Sequence, residues 1–221
     1  MGISIYDIYN NPNVGVFARA NERVLLVPLG YPETKSTKLA SLMGAEPVFA
    51  SVGYTRLIGP LTVMNSNAIL LSKFATDAEV RAIGEAAKTR VERFQSTYSS
   101  VGNLIAANDR GAVASDLFDD HEVKQIEDVL GVKAERMSIS GMSQVGSLVA
   151  ASNSGAVVHP KATEEETKSI SRILQVDCEP CTVNGGVPYP SSGMLVNTKG
   201  AIVGTQASGP ELFIIGKAFK L

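Results

Sequence analysis

The chain of 221 residues has no tryptophan, two cysteines, two histidines and only 6% aromatic residues. Each shortage removes a class of function. Aromatics this sparse argue against a stacking platform for single-stranded nucleic acid. Cys178 and Cys181 form a lone Cys-x-x-Cys, and no second pair completes a tetrahedral zinc site. His121 and His159 leave little for metal or acid–base chemistry, so neither a metal nor a cofactor is expected. Charge of one sign is also scarce. The formal net charge is −2, whereas domains that grip nucleic acid through phosphates are usually basic. No run approaches the ~18 apolar residues of a membrane span. The opening Met1-Gly2-Ile3-Ser4-Ile5-Tyr6-Asp7 lacks the basic and apolar regions of a signal peptide. A cytoplasmic protein without a membrane partner is the expectation. With 44% hydrophobic and 19% charged residues, the chain has ordinary globular chemistry.

What is present is a repeat. Val14-Gly15, Ile58-Gly59, Val101-Gly102 and Val145-Gly146 each open an apolar stretch, and six residues after each glycine come Asn21, Asn65, Asn108 and Ser152. A fifth copy aligns on Asn197 and puts Ser191 at the glycine position. Five units of nearly equal length fill residues 1–221, which predicts a single five-repeat domain with no linker.

Each unit reads alike. A first strand is predicted over Val16–Ala20, Pro60–Met64, Asn103–Ala107, Ser147–Ala151 and Ser192–Val196. A turn follows, as in Asn108-Asp109-Arg110-Gly111, with a side-chain cap at its first position and a glycine expected to accept positive φ at its fourth. Next comes a strand of unbroken small and β-branched residues, which predicts burial on both faces: Val24–Val27, Ala68–Leu71, Ala112–Ala114, Ala156–Val158 and Ala201–Val203. Thr76 with Glu79, Asp119 with Glu122, Thr163 with Glu166 and Ser208 with Glu211 are capping boxes that start helices. The first unit has Pro32 there, and its helix is predicted to begin near Glu33 or Thr34. A third strand ends the unit, at Pro47–Val52, Val91–Ser96, Ala134–Ile139 and Asp177–Val183.

The fifth unit lacks its third strand, and the strand-like segment Ile3–Asp7 is left over at the other end. That segment is predicted to complete the fifth unit and close a ring, removing exposed sheet edges. The fold class is therefore α/β: five ββαβ repeats with pseudo-fivefold symmetry, inner strands lining the centre and helices forming the wall. An open solenoid is the competing layout, but it needs capping repeats and none is seen.

Several strings at fixed spacing carry a resemblance: Asn13-Val14-Gly15-Val16-Phe17, Arg56-Leu57-Ile58-Gly59, Val101-Gly102-Asn103-Leu104, Gly155-Ala156-Val157-Val158-His159-Pro160 and Gly209-Pro210-Glu211-Leu212. Over essentially its full length the chain resembles the family of archaeal translation initiation factor six and its eukaryotic counterpart, ribosome anti-association factors. The resemblance implies the pentein fold, a five-bladed α/β propeller. It also implies docking on the intersubunit face of the large (50S) ribosomal subunit near the sarcin–ricin loop. There the factor sterically keeps the small (30S) subunit from joining, and it takes part in late large-subunit biogenesis. No catalytic residue is needed. The near-neutral charge fits a monomer that docks mainly on ribosomal protein, with RNA contact at the margin.

In a ring of repeats the residues after each anchor, Val16, Pro60, Asn103, Ser147 and Ser192, should share one mouth. The family's ribosome-facing surface includes positions matching Arg56, Pro60, Arg93 and Asn103. Arginine is frequent in the family where this chain has Pro60. Tyr98, in the connection after Arg93, is a candidate aromatic anchor, and Ser147 completes the candidate set. The turn asparagines read as structural, and Cys178 and Cys181 as small apolar strand residues. The pentein fold also hosts enzymes that modify guanidino groups (deiminases and amidinotransferases), with a nucleophilic cysteine late in the chain. Here the final unit has none, and Cys178 would have to find His121 or His159 across the ring.

Overall fold

The computed structural model describes residues 2–221. Three-stranded sheets form five blades around a central axis. Strand β1 (Ile3–Ile5) is followed by the first blade's short helix α1 (Val14–Phe17), β2 (Arg19–Ala20), β3 (Val24–Pro28), α2 (Glu33–Met43) and β4 (Glu46–Ala50). The second blade holds β5 (Thr62–Met64), β6 (Ala68–Leu71), α3 (Asp77–Ala87) and β7 (Arg90–Arg93). The third holds α4 (Val101–Leu104), β8 (Ile105–Ala107), β9 (Gly111–Ser115), α5 (Asp120–Leu130) and β10 (Lys133–Met137). The fourth holds α6 (Val145–Leu148), β11 (Val149–Ala151), β12 (Ala156–Val158), α7 (Glu164–Leu174) and β13 (Cys178–Pro180). The fifth holds α8 (Pro190–Gly193), β14 (Met194–Asn197), β15 (Gly200–Val203) and α9 (Gly209–Phe219).

In every blade the inner strand pairs antiparallel with the middle one, and the outer strand pairs parallel with it. The fifth sheet has the order β1-β15-β14, with Ile3 opposite Ala201 and Ile5 opposite Val203 in parallel register. The N-terminal strand therefore supplies the missing outer strand and closes the ring. This is the pentein-type propeller expected from the repeat, and the open solenoid is excluded.

The middle strands are buried throughout, as their unbroken apolar runs require. Five hydrophobic clusters explain why. Each is shared by two neighbouring blades, as where Leu70 and Phe94 of the second meet Ile126 and Leu130 of the third. The cluster of Leu39 and Met43 with Leu195 and Ile202 joins the first blade to the fifth. Full burial of such a side chain contributes roughly 1.5–3 kcal/mol, and no blade achieves it alone. The capping boxes form as predicted at Thr76, Asp119 and Thr163, where side chain and carboxylate each take a backbone N–H. At Ser208 the Glu211 carboxylate accepts from the Ser208 N–H at 2.7 Å. Pro32 caps α2 without a side-chain bond, and that helix starts at Glu33.

Two expectations need correction. The first halves of the predicted inner strands are not extended. Val14–Phe17, Val101–Leu104, Val145–Leu148 and Pro190–Gly193 are single helical turns, and the strands begin after them. The repeat is thus a helical turn followed by ββαβ. Val16, Asn103, Ser147 and Ser192 each donate their N–H to the carbonyl three residues back. Pro60 has no N–H to give, and residues 58–61 form a turn instead of a helix. The turns are short enough to stack: a Cβ on Gly59 would lie 1.8 Å from the Gly15 carbonyl oxygen, and one on Gly102 would lie 2.0 Å from that of Gly59. Close approach of neighbouring backbones, not a strand, sets the anchors.

The second correction concerns the turn glycines. Gly111, Gly155 and Gly200 do not have positive φ. A Cβ on Gly111 would instead strike the Ile173 carbonyl oxygen at 2.0 Å, and one on Gly155 that of Ala218 at 1.8 Å. The last turn of the next blade's helix presses on this position.

Candidate functional site

The topology gives the propeller two unlike faces. The middle and outer strands of a blade run parallel, and the long helix between them runs back. All N-termini of the long helices, the helical turns and the connections between blades therefore share one face. The Asn-containing turns and the helix C-termini share the other.

The second face is structural. The Oδ1 of Asn108 accepts the N–H groups of Arg110 and Gly111 at 2.9 and 3.0 Å, capping its own turn as predicted. Its Nδ2 reaches the next blade and donates to the carbonyls of Ser152 and Leu174, at 3.0 and 2.8 Å. Asn65 makes the same pair of bonds to Asn108 and Leu130, and Asn197 to Asn21 and Met43. Asn21 donates to the Asn65 carbonyl at 2.7 Å. These residues form a hydrogen-bonded girdle around the axis. Ser152 has no amide, and its hydroxyl pairs with Ser154.

The central channel is plugged towards the first face by Arg19. Its Nε donates to the Gly59 carbonyl (3.2 Å), Nη1 to the Ser191 hydroxyl (2.7 Å) and Nη2 to the Gly102 carbonyl (3.1 Å). Equivalent positions in the other blades are Val63, Ala106, Ala150 and Leu195. Burial brings the guanidinium pKa down to about 10. Nothing in the sequence pattern flags Arg19, because it occurs once and not in every repeat.

The first face carries all six candidates. Pro60, Asn103 and Ser147 lie on the ring of turns and are partly exposed. Arg56 is exposed in the connection to the second blade, with its guanidinium 5.4 Å from the ring centre of Tyr9. Arg93 ends β7, donates to the Ala75 carbonyl at 3.2 Å and pairs with Asp77 at 2.6 Å. Tyr98 is 37% exposed and rests edge-on against buried Phe118 at 6.0 Å between ring centres. The five repeats thus bring Arg56, Pro60, Arg93, Tyr98, Asn103 and Ser147 to one side.

Sequence reasoning missed a second repeated device here. Tyr9-Asn10, Gly53-Tyr54 and Ser140-Gly141 all have φ between 51° and 72° and form tight hairpin tips, closed by the bridges Ile8–Asn11, Val52–Thr55 and Ile139–Met142. Positive φ at both central residues marks a type I′ turn. Most tips are held by the capping-box glutamate of the following helix. Glu79 accepts from the N–H groups of Gly53 and Tyr54, Glu166 from Ser140, and Glu211 from Gly185 and Gly186. Burial would raise the Glu211 carboxyl, but these bonds with those from Ser208 and Thr182 outweigh it and lower it to about 2. Glu79 is lowered in the same way. In the first blade Lys35 stands at that helix position. The Tyr9 tip packs edge-on against Phe17 and Tyr31 instead.

Among the described residues neither thiol is hydrogen-bonded to a hairpin tip. Burial pushes Cys178 and Cys181 up to about 12, the opposite of an activated nucleophile. The Cys181 thiol donates to the Thr182 carbonyl, and His159 Nδ1 accepts the Lys161 N–H.

The eIF-6 family model matches residues 3–218. The chain belongs to the eIF-6 family. It is 46% identical over 219 residues to translation initiation factor 6 of Nitrosopumilus maritimus, covering 99% of both chains. Identity to translation initiation factor 6 of Pyrococcus furiosus is 45% over 223 residues, covering 99% of this chain and 98% of that one. Among solved structures, DDAH from Pseudomonas aeruginosa bound to citrulline aligns at a TM-score of 0.47 and 12% identity, over 87% of this chain and 69% of that chain. Membership of the eIF-6 family puts the chain among the translation initiation factors and the proteins of protein biosynthesis. Among the described residues, no helix of this eIF-6 protein is long and apolar enough to cross a membrane.

Proposed function

We propose that the chain binds the large ribosomal subunit through its helix-N-terminal face and keeps the small subunit from joining by occupying the space between them. One observation carries this reading. Among the described residues, ten large hydrophobic side chains are more than a third exposed. Eight of them, Tyr9, Leu29, Tyr54, Leu57, Phe74, Tyr98, Leu117 and Tyr189, belong to the connections of that single face. Clustered apolar exposure marks a macromolecular interface. Tyrosines interleaved with arginine suit protein better than phosphate backbone. This supports docking mainly on ribosomal protein near the sarcin–ricin loop, with RNA contact at the margin and Arg56, Pro60, Arg93, Tyr98, Asn103 and Ser147 in the contact. The role is steric and noncatalytic, performed by a cytoplasmic monomer that also serves large-subunit maturation.

The test is co-sedimentation with isolated subunits. The chain should migrate with large subunits and not with small ones, and equal binding to both, or to neither, overturns the reading. Asn103→Ala and Arg93→Ala should each weaken binding about tenfold, which corresponds to roughly 1.4 kcal/mol. Their melting temperatures should barely move, because an exposed pair such as Arg93–Asp77 is worth at most about 1 kcal/mol.

A further inference from the structure

Arg19 sits at the end of a chamber of about 60 Å³ on the propeller axis. A water needs roughly 10–15 Å³ of such volume, so several small species fit. The other residues lining the chamber are apolar or small, including Val63, Ala106, Ala150 and Leu195. Arg19 is thus the one lining residue whose side chain bears a charge or a hydrogen-bond donor. A guanidinium has five N–H groups, and three are spent on the Gly59 and Gly102 carbonyls and the Ser191 hydroxyl. None of these acceptors is a carboxylate. Among the described residues Arg19 has no salt-bridge partner. Glu22 lies three residues further along the chain, in the turn after β2. Its carboxylate is already held by Thr198.

A half-buried cation with no carboxylate partner gains from an opposite charge brought to it. We propose that the chamber binds a small monovalent inorganic anion, of the size and charge of chloride, against the two remaining N–H groups of Arg19. The walls select for that class. A tetrahedral dianion such as sulfate or phosphate needs several convergent donors, and the chamber offers one guanidinium among apolar side chains. A halide asks for few directed bonds, which suits a chamber with one donor side chain.

Bromide replaces chloride chemically and is located by its anomalous scattering. Crystals of the unaltered chain grown in sodium bromide should give an anomalous peak within hydrogen-bond reach of the Arg19 guanidinium. A chamber showing only water at that place overturns the proposal. In solution, unfolding should be followed in potassium chloride and in potassium gluconate of equal ionic strength. Chloride at 100 times its dissociation constant should raise the folding equilibrium constant about 100-fold. Arg19→Met should abolish this difference between the salts. Equal unfolding of the unaltered chain in both salts, or the same chloride dependence in Arg19→Met, also overturns the assignment. If Arg19→Met does not fold, the bromide map of the unaltered chain decides alone.

Discussion

The Nη1 of Arg19 in the first blade meets the hydroxyl of Ser191 in the fifth at 2.7 Å, across 172 residues of sequence. The same guanidinium also holds the second and third blades through Gly59 and Gly102, so one side chain ties four blades at the axis. Ser191 is 3% exposed and supplies the hydroxyl among these acceptors. Ser191→Ala should destabilise the fold by roughly 1.5–3 kcal/mol, the range for hydrogen bonds to charged groups. Urea unfolding monitored by circular dichroism checks this.

Glycine substitutions should divide sharply by position. A Cβ at Gly59 would lie 1.8 Å from the Gly15 carbonyl oxygen, where backbone faces backbone and neither can yield cheaply. Gly59→Ala should lower stability by about 3 kcal/mol or more, as severe overpacking does. Gly84, inside α3, has its nearest neighbours at 3.6 Å. Gly84→Ala should therefore stabilise by roughly 0.5–1 kcal/mol through helix propensity. The two melting temperatures should move in opposite directions.

The girdle makes a paired prediction. Asn108→Ala deletes four bonds, two within its turn and two to the next blade, and should cost about 2–4 kcal/mol. Ser152→Asn restores the one amide that the girdle lacks and should add about 1 kcal/mol. Thermal unfolding of both variants distinguishes a stabilising girdle from incidental contacts.

Acid should loosen the hairpin tips. Glu211 is lowered from an ordinary 4.5 to about 2 in the folded chain. A carboxyl with a depressed folded pKa stabilises above its unfolded value, and that contribution disappears as pH falls through the folded value. Stability from Glu211 is therefore complete above about pH 4.5 and is lost between there and about pH 2. Glu79, shifted in the same direction, adds to the loss. Glu211→Gln should be less stable than the parent at pH 7, and the two should converge by pH 2. Melting curves taken across this range measure the difference.

The repeat, the buried middle strands, the capping boxes and the N-terminal clasp were legible because each rests on local chemistry repeated at one spacing. Val157 and Leu70 announce burial by their neighbours, and Thr76 with Glu79 announces a helix start. The helical turns were not legible. A four-residue helix is too short to hold itself, and Val14–Phe17 is shaped by contact with Ser191 and Met194. The fourth-position glycines pointed to a turn for the wrong reason, because the helix end that excludes a Cβ at Gly155 lies 63 residues away at Ala218. The candidate face was legible as a set of equivalent positions. The tips that shape it were hidden, since Tyr9-Asn10 and Ser140-Gly141 share no turn motif. Arg19 escaped because a singular residue is invisible to a search for repetition.

Pairing of Ile3–Ile5 with Ala201–Val203 has a consequence for synthesis on the ribosome. The segment Ile3–Ile5 is translated before all five blades yet belongs to the sheet of the fifth. It must wait, unpaired, for nearly two hundred residues before its partner strand exists. Until then the first and fourth blades lack the fifth as their neighbour. The ring therefore closes only once β15 has been made, and a nascent chain stalled before β15 should remain open to proteases that the closed ring resists.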